Sequence, residues 1–337
     1  MTTTLYLVRH GITEMNSRHC FQGLIDIPLN EIGEAQGQCL IKRFEDVPID
    51  VAISSPLSRA RKTMDYILET HPNMEVILDP ELVELDGGLT EGQHFYESES
   101  FWPGYLNQYR TNPGTWDHPG GENGAQARTR FEKAINRIVR EHQGKSIVVA
   151  CHGFVIQTFV NYAKGRPAHD MSPENVGNVS VSKFTFDDDF NLTMEYYGDD
   201  DHLPDNLRIY HDWEELQKPK AILIWYPKCT TCKKARKFLE EQGITTIERH
   251  IVNTPLHKEE LAILMERYPK EPRKFFNTSG IKYRELGLKD KIKTMTQDEM
   301  IELLATDGML VKRPILMYKG QVALGFKEGE WAEILSL

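Results

Sequence analysis

The sequence predicts two α/β units in one chain, the first larger than the second. Three observations predict it. Short apolar runs such as TLYLV (4–8), SIVVAC (146–151) and AILIWY (221–226) alternate with amphipathic stretches, as expected of strands covered on both faces by helices. The 337 residues exceed an average single domain. The charge also reverses along the chain. Residues 1–217 hold 18 Lys and Arg against 34 Asp and Glu (−16), whereas 218–337 hold 22 against 16 (+6). The reversal follows the acidic stretch Gly198–His202 and immediately precedes a new apolar strand. It places the boundary at 217/218, giving units 1–217 and 218–337.

The elements follow in order. TLYLVRH reads as a first strand, and Asn30, a residue whose side chain caps helix N-termini well, opens the next helix. VAISS is a strand, residues 57–70 a helix, EVILD a strand and 123–142 a helix; SIVVACH follows as a strand and a further helix starts near Phe154. The second unit repeats the alternation on a smaller scale. Strands at 221–226 and 246–251 and helices at 230–242, 257–268 and 296–306 lead to a strand at 314–318 and its continuation at 321–324.

Composition narrows the function. The apolar runs at 147–151, 154–160 and 221–226 are far too short to cross a bilayer. The N-terminus MTTTLYLVRHG has no basic segment followed by a long apolar core, so the expectation is a cytoplasmic protein without membrane contact. Five cysteines do not suggest a disulfide scaffold, although two form a Cys-x-x-Cys. The acidic first unit disfavours nucleic acid and highly anionic substrates.

Three polar clusters stand where apolar strands end, which is where open α/β sheets bind ligands: Arg9-His10-Gly11, Ser54-Ser55 with Arg59, and Cys151-His152-Gly153. A phosphate calls for guanidinium forks and uncharged donors, and an in-line displacement calls for a nucleophile such as neutral imidazole. Arg9, Arg59 and His152 suit the cradle and His10 the attack. Taken singly, Arg9-His10 is an ordinary surface pair and His152 an ordinary strand-end histidine; together they read as a site.

These segments resemble the histidine phosphatase (phosphoglycerate mutase-like) superfamily. Leu7–Asn16 is similar to its Arg-His-Gly-x-Thr-x-x-Asn signature, and Ser54–Thr63 to its second arginine motif. Glu84–Gly92 is similar to its acid-bearing segment, Pro119–Glu122 to its Pro-Gly-Gly-Glu turn and His152-Gly153 to its second histidine, over about residues 4–185. The resemblance implies a three-layer α/β/α domain with a phosphohistidine at His10. It implies phosphate binding by Arg9, Asn16, Arg59 and His152, a general acid at Glu84, and neither metal nor cofactor. A general acid near neutrality needs a raised pKa. Its neighbours Glu81, Asp86 and Glu91 would raise it by like-charge repulsion; the alternative for all three is a solvated acidic face, which suits Glu81 best. The short Gly-x-x-Glu-Gly acid motif resembles the small-molecule phosphatases more than the mutases, with mutase-type phosphotransfer as the alternative. The aromatic-rich segment 93–118 is expected to choose the substrate or cap the site.

In the second unit, Cys229 precedes a helix, where the dipole and free backbone N–H groups favour a thiolate, and Lys228, Lys233 and Lys234 add positive charge. Cys232 stands one turn later, placed to resolve a mixed disulfide. Zinc would need a second cysteine pair nearby, which is missing. Four segments resemble the arsenate reductase/Spx-like branch of the thioredoxin fold: Tyr226–Cys232, Phe276–Tyr283, Lys312-Arg313-Pro314-Ile315, and Gly325-Phe326 ahead of Trp331. The resemblance implies a cis bond before Pro314 and aligns Arg273 and Arg313 with two oxyanion-binding arginines. The third is missing where Gly325-Phe326-Lys327 stand. Thiol–disulfide exchange with glutathione or another thiol reductant, arsenate reduction, and a redox-sensing regulator that contacts a protein partner are the readings it leaves open. Disulfide exchange with Cys151 or Cys20 would link the two units.

Overall fold

The computed structural model describes residues 1–209 and 213–337. The chain forms two compact units. One comprises Met1–Phe95 with Gly104–Asp212, the other Tyr96–Pro103 with Trp213–Leu337. The charge reversal at 217/218 gave no sign of the excursion at Tyr96–Pro103.

The first unit is built on a six-stranded sheet of β1 (Thr3–Arg9), β2 (Val51–Ser54), β3 (Val76–Leu78), β4 (Ser146–Cys151), β5 (Val181–Phe186) and β6 (Leu192–Asp199), in the order β3-β2-β4-β1-β5-β6. The first four strands run parallel, and β5 and β6 add an antiparallel edge. Alternation along the strands makes three layers. Leu5, Leu7, Ile147 and Val149 share a core with Phe131, Ile135, Ile156 and Phe159 of the Gly124–Glu141 and Gly153–Ala163 helices. Tyr6, Val8, Val148 and Ala150 point the other way, into a core with Leu40, Phe44 and Met64 of the Glu31–Phe44 and Ser58–Ile67 helices. Asn30 caps its helix by accepting from Gly33 N at 3.0 Å. The helix expected over 57–70 is regular to Ile67 and tightens to a 3-10 turn at Leu68–Thr70.

The second unit has four strands, β7 (Ala221–Trp225), β8 (Thr246–His250), β9 (Ile315–Tyr318) and β10 (Gln321–Leu324), in the order β10-β9-β7-β8. Only β7 and β8 are parallel. Ala221 and Leu223 pack with Phe238, Leu239 and Trp331 of the Thr230–Glu241 and Glu328–Leu335 helices. Ile222 and Ile224 pack with Leu261, Leu264, Ile301 and Leu304 of the Lys258–Arg267 and Gln297–Ala305 helices. Among the described residues, no helix is long and apolar enough to cross a membrane.

Candidate functional site

Strand register assembles the first centre. β1 and β4 are parallel neighbours with Arg9 opposite Cys151, so His10 and His152 leave the sheet side by side. His10 N donates to Cys151 O at 3.0 Å, and the two imidazole rings lie 5.2 Å apart. On β2, Ser54 is opposite Ala150, and the following residue, Ser55, shares a 2.8 Å hydrogen bond through its hydroxyl with His152 Nε2. Gly153 must be a glycine, because a Cβ there would stand 2.8 Å from Arg9 Nε.

His10 is 2% exposed, and its Nδ1 lies 2.7 Å from Gly11 O. A carbonyl only accepts, so Nδ1 carries the proton and Nε2 presents its lone pair. Burial, followed by the charges of Arg59 and Arg9, holds the His10 pKa well below the usual imidazole value. Burial and the same arginines do the same to His152. Both rings are therefore neutral at physiological pH.

The arginines are held by their tips. Arg9 Nη1 donates to Val176 O at 2.6 Å, and Arg59 donates to Ile25 O and Gly23 O, both at 2.8 Å. Burial lowers the Arg9 pKa and takes Arg59 to about 10, with both guanidinium groups still charged. Arg9 Nε, Arg59 Nε and His152 Nδ1 are buried without a protein hydrogen-bond partner, an arrangement that suits an oxyanion. Asn16 forms a reciprocal capping box with Thr13; its Oδ1 accepts from Thr13 N at 3.1 Å, which leaves Nδ2 as the donor it can offer.

Glu84 is held by a helix start and faces two arginines. Its carboxylate accepts from Phe154 N at 3.1 Å and Val155 N at 3.3 Å, at the start of the Gly153–Ala163 helix, and it interacts with the charges of Arg9 and Arg59. The acidic neighbours are engaged elsewhere. Glu81 pairs with Arg137 at 3.3 Å, Asp86 accepts from Gly88 N, and Glu91 accepts from Leu24 N and Gly87 N. Burial raises the pKa of Glu91 itself.

Further contributors were not singled out by residue in the sequence, although Thr63 lies in the second arginine motif and Tyr109 in the aromatic-rich segment. Thr63 Oγ1 accepts from Gly11 N at 3.1 Å, and Asn178 Nδ2 donates to His10 O at 3.0 Å. Arg130 fastens the acid segment: it donates to the carbonyls of Glu81, Val83 and Glu84 and pairs with Glu122, which in turn accepts from Asp86 N. This gives the Pro119–Glu122 turn its purpose. Tyr109 interacts with Arg9 and Glu84, is hydrogen-bonded to Gln157, and packs on Trp116 at 4.7 Å; burial raises its pKa, so it is a neutral phenol.

In the second unit Cys229 caps the Thr230–Glu241 helix, its Sγ accepting from Cys232 N at 3.4 Å. Burial pushes its pKa up. The Cys232 and Thr231 amides, the Cys232 side chain and the Arg313 charge outweigh that push, and the thiol ends below its ordinary value. Burial drives Cys232 up to about 12. The Arg313–Pro314 peptide is cis. Arg313 lies over the Tyr226 ring at 5.2 Å, with its Nε buried and unpartnered. Arg273 departs from expectation: its exposed guanidinium pairs with Glu271, and no described contact joins it to Cys229. The link through Cys151 also meets an obstacle, since that thiol is fully buried and burial raises its pKa. Among the described residues, no cluster of His, Cys, Asp and Glu is arranged to hold a metal.

With this geometry in hand, residues 5–199 match the model of the histidine phosphatase superfamily (branch 1), and residues 224–334 that of the ArsC family. An uncharacterised protein, YusI of Bacillus subtilis, is 54% identical over 32% of this chain and 92% of its own. Phosphoglycerate mutase-like protein 4 of Arabidopsis thaliana is 32% identical over 59% of this chain and 86% of its own. Among solved structures, a phosphoserine phosphatase mutant of Entamoeba histolytica in complex with phosphoserine aligns with 25% identity and a TM-score of 0.52, covering 60% of this chain and 100% of that one.

Proposed function

Because this chain belongs through residues 5–199 to the histidine phosphatase superfamily (branch 1) and continues into an ArsC-family unit, we propose that its first unit is a metal-independent phosphomonoesterase for a small-molecule phosphate. The observation that carries this reading is His10, neutral, with Nδ1 on Gly11 O and with Arg9, Arg59 and His152 around it. His10 Nε2 attacks phosphorus, the phosphorus–oxygen ester bond breaks, and Glu84 gives its proton to the departing oxygen. Water then attacks the phosphohistidine and passes a proton to Glu84; inorganic phosphate leaves and His10 is restored. Turnover of an aryl phosphate with a phosphohistidine trapped at His10 tests the reading, and a wild-type protein that forms none refutes it.

The name of the Arabidopsis relative favours a second reading, in which the phosphoryl group returns to another hydroxyl of the substrate as in a phosphoglycerate mutase. Release of inorganic phosphate without isomerised product separates the two.

For the second unit, the lowered Cys229 thiol beside a strongly raised Cys232 favours thiol–disulfide exchange. Cys229 thiolate attacks a substrate disulfide and releases one thiolate; Cys232 then displaces the second, closing Cys229–Cys232. Two equivalents of an external thiol such as glutathione reopen it and are oxidised to their disulfide. Arsenate reduction is the weaker alternative, given where Arg273 stands. A redox-dependent protein partner is tested by capture with reduced and oxidised protein.

A further inference from the structure

We infer that Tyr226 is a positioning residue for thiol–disulfide exchange, its ring face holding the Arg313 guanidinium beside Cys229 without neutralising it. The inference rests on the exchange reading of the second unit, and every residue in it belongs to that unit.

Strand register brings the two side chains together. β7 and β9 are antiparallel, and Ile224 stands opposite Ile315 at the end of their ladder. Continued by two residues, the same register sets Tyr226 opposite Arg313, just before the chain turns at Pro227 towards Cys229. The guanidinium carbon of Arg313 lies 5.2 Å from the centre of the Tyr226 ring. Its other tethers are slight. Nη1 donates to Met309 O at 3.3 Å, Nε is buried without a partner, and among the described residues no carboxylate pairs with it. Arg249 of the same unit shows the alternative: it forks onto both oxygens of Glu260 at 2.6 and 2.9 Å and also donates to Glu97 at 3.1 Å. Tyr226 makes a firm anchor. It is half-buried against the core that contains Ile222, Ile224 and Ile315. His250 meets its ring at 78° with the centroids 5.6 Å apart, and the Val252 and Asn253 amides fix His250 through Nδ1.

A carboxylate holds an arginine tightly but cancels much of the field that the arginine applies to its surroundings. An aromatic face attracts the cation through its quadrupole and carries no net charge. Arg313 therefore acts on both cysteines undiminished, and at Cys229 it adds to the Cys232 and Thr231 amides against burial. The Tyr226 main chain serves the same pair: its carbonyl accepts from Cys229 N at 3.0 Å, and its backbone is hydrogen-bonded to the Cys232 sulfur. Those backbone bonds survive a change of side chain at 226, so the contribution of the ring can be separated from them. Lys228, Lys233, Lys234 and Lys312 flank the thiols and Arg313 in sequence and stay constant in such a comparison.

The test is the pH profile of Cys229 alkylation in the full chain, read site by site, with the rate at Cys232 reporting the fold. The variants are Tyr226→Phe, Tyr226→Leu, Tyr226→Met, Arg313→Met, and a double variant carrying Tyr226→Leu with Arg313→Met. We expect Arg313→Met to slow alkylation at pH 7 by about tenfold and the two ringless variants by about fivefold, each with its midpoint moved to higher pH. Tyr226→Phe keeps the ring face and should stay within about twofold of wild type. In the double variant the loss of the ring should add little to the loss of Arg313, since no cation remains for it to hold. Ringless variants with the wild-type profile overturn the inference. So does a Tyr226→Leu effect that persists in full without Arg313, and so does a slowing that appears only together with rapid alkylation of Cys232, the mark of an unfolded unit. A wild-type Cys229 that alkylates no faster than free cysteine would refute the exchange reading itself, and the inference with it.

Discussion

The two candidate sites both follow a strand that has a parallel neighbour, and their environments are opposite. His10 and His152 are closed off from water and share their space with two guanidinium groups. Cys229 is half-exposed and draws on helix amides and one arginine. The difference suits the chemistry proposed for each atom. A phosphoryl acceptor has to be an uncharged base among cations, and burial keeps an imidazole uncharged. A thiol nucleophile has to be charged, and a helix N-terminus makes it so without removing it from solvent.

The largest expected effect tests whether the centres are chemically independent. His10→Ala should reduce phosphatase kcat by at least about 10³-fold and abolish the trapped phosphoenzyme, with Cys229 alkylation unchanged. A coupled change in thiol reactivity would break the comparison. Next, Glu84→Gln should cost about 10²-fold or more on esters of poor leaving groups and far less on a nitrophenyl ester, whose oxygen departs without a proton. An equal loss on both would give Glu84 some role other than proton donor. Cys229→Ser should remove the fast-alkylating thiol and leave phosphatase kcat within about twofold of wild type, whereas Cys232→Ser should retain the fast thiol and trap a mixed disulfide.

The smallest effect concerns pH. His10, His152 and His118 all have folded-state pKa values depressed chiefly by burial, His118 to about 3. Each takes up a proton more readily when unfolded, so their contribution is intact above about pH 6.5 and is lost as the pH falls towards the depressed values. The slope is roughly 1.4 kcal/mol per pH unit for each histidine. Urea titrations at about pH 7 and 5.5 should show it, and His118→Gln should flatten the slope by about one proton's worth. An unchanged slope in that variant would mean that His118 is already charged in the folded protein.

What the sequence revealed was local. Arg9-His10, Arg59 and His152 each sit in a short motif at a strand end, and register alone brings them together. Asn178 and Arg130 reach the centre from distant positions, and nothing around them in the chain marks their partners; Tyr109 comes from the aromatic-rich segment, marked only as a stretch. Glu97 reads as a surface residue in the stretch ESES; only Arg249, far along the chain, makes it a buried one. Arg273, aligned only by resemblance and outside the quoted motifs, is exposed and paired with Glu271, two residues earlier. The acidic neighbours of Glu84 in sequence turn to Arg137 and to backbone amides, partners that the sequence does not mark.

The excursion at Tyr96–Pro103 bears on the chain's ancestry. Two units with opposite charge look like a recent joining of independent genes, each still a portable module. A cut at 217/218 would leave Phe101 and Glu97, which belong to the second unit, on residues 1–217 without the core and the arginine that receive them. It would also transmit a second unit whose Arg249 had lost one acceptor. A boundary drawn along the chain at 217/218 therefore differs from the one drawn in space, because Tyr96–Pro103 packs with the unit that follows.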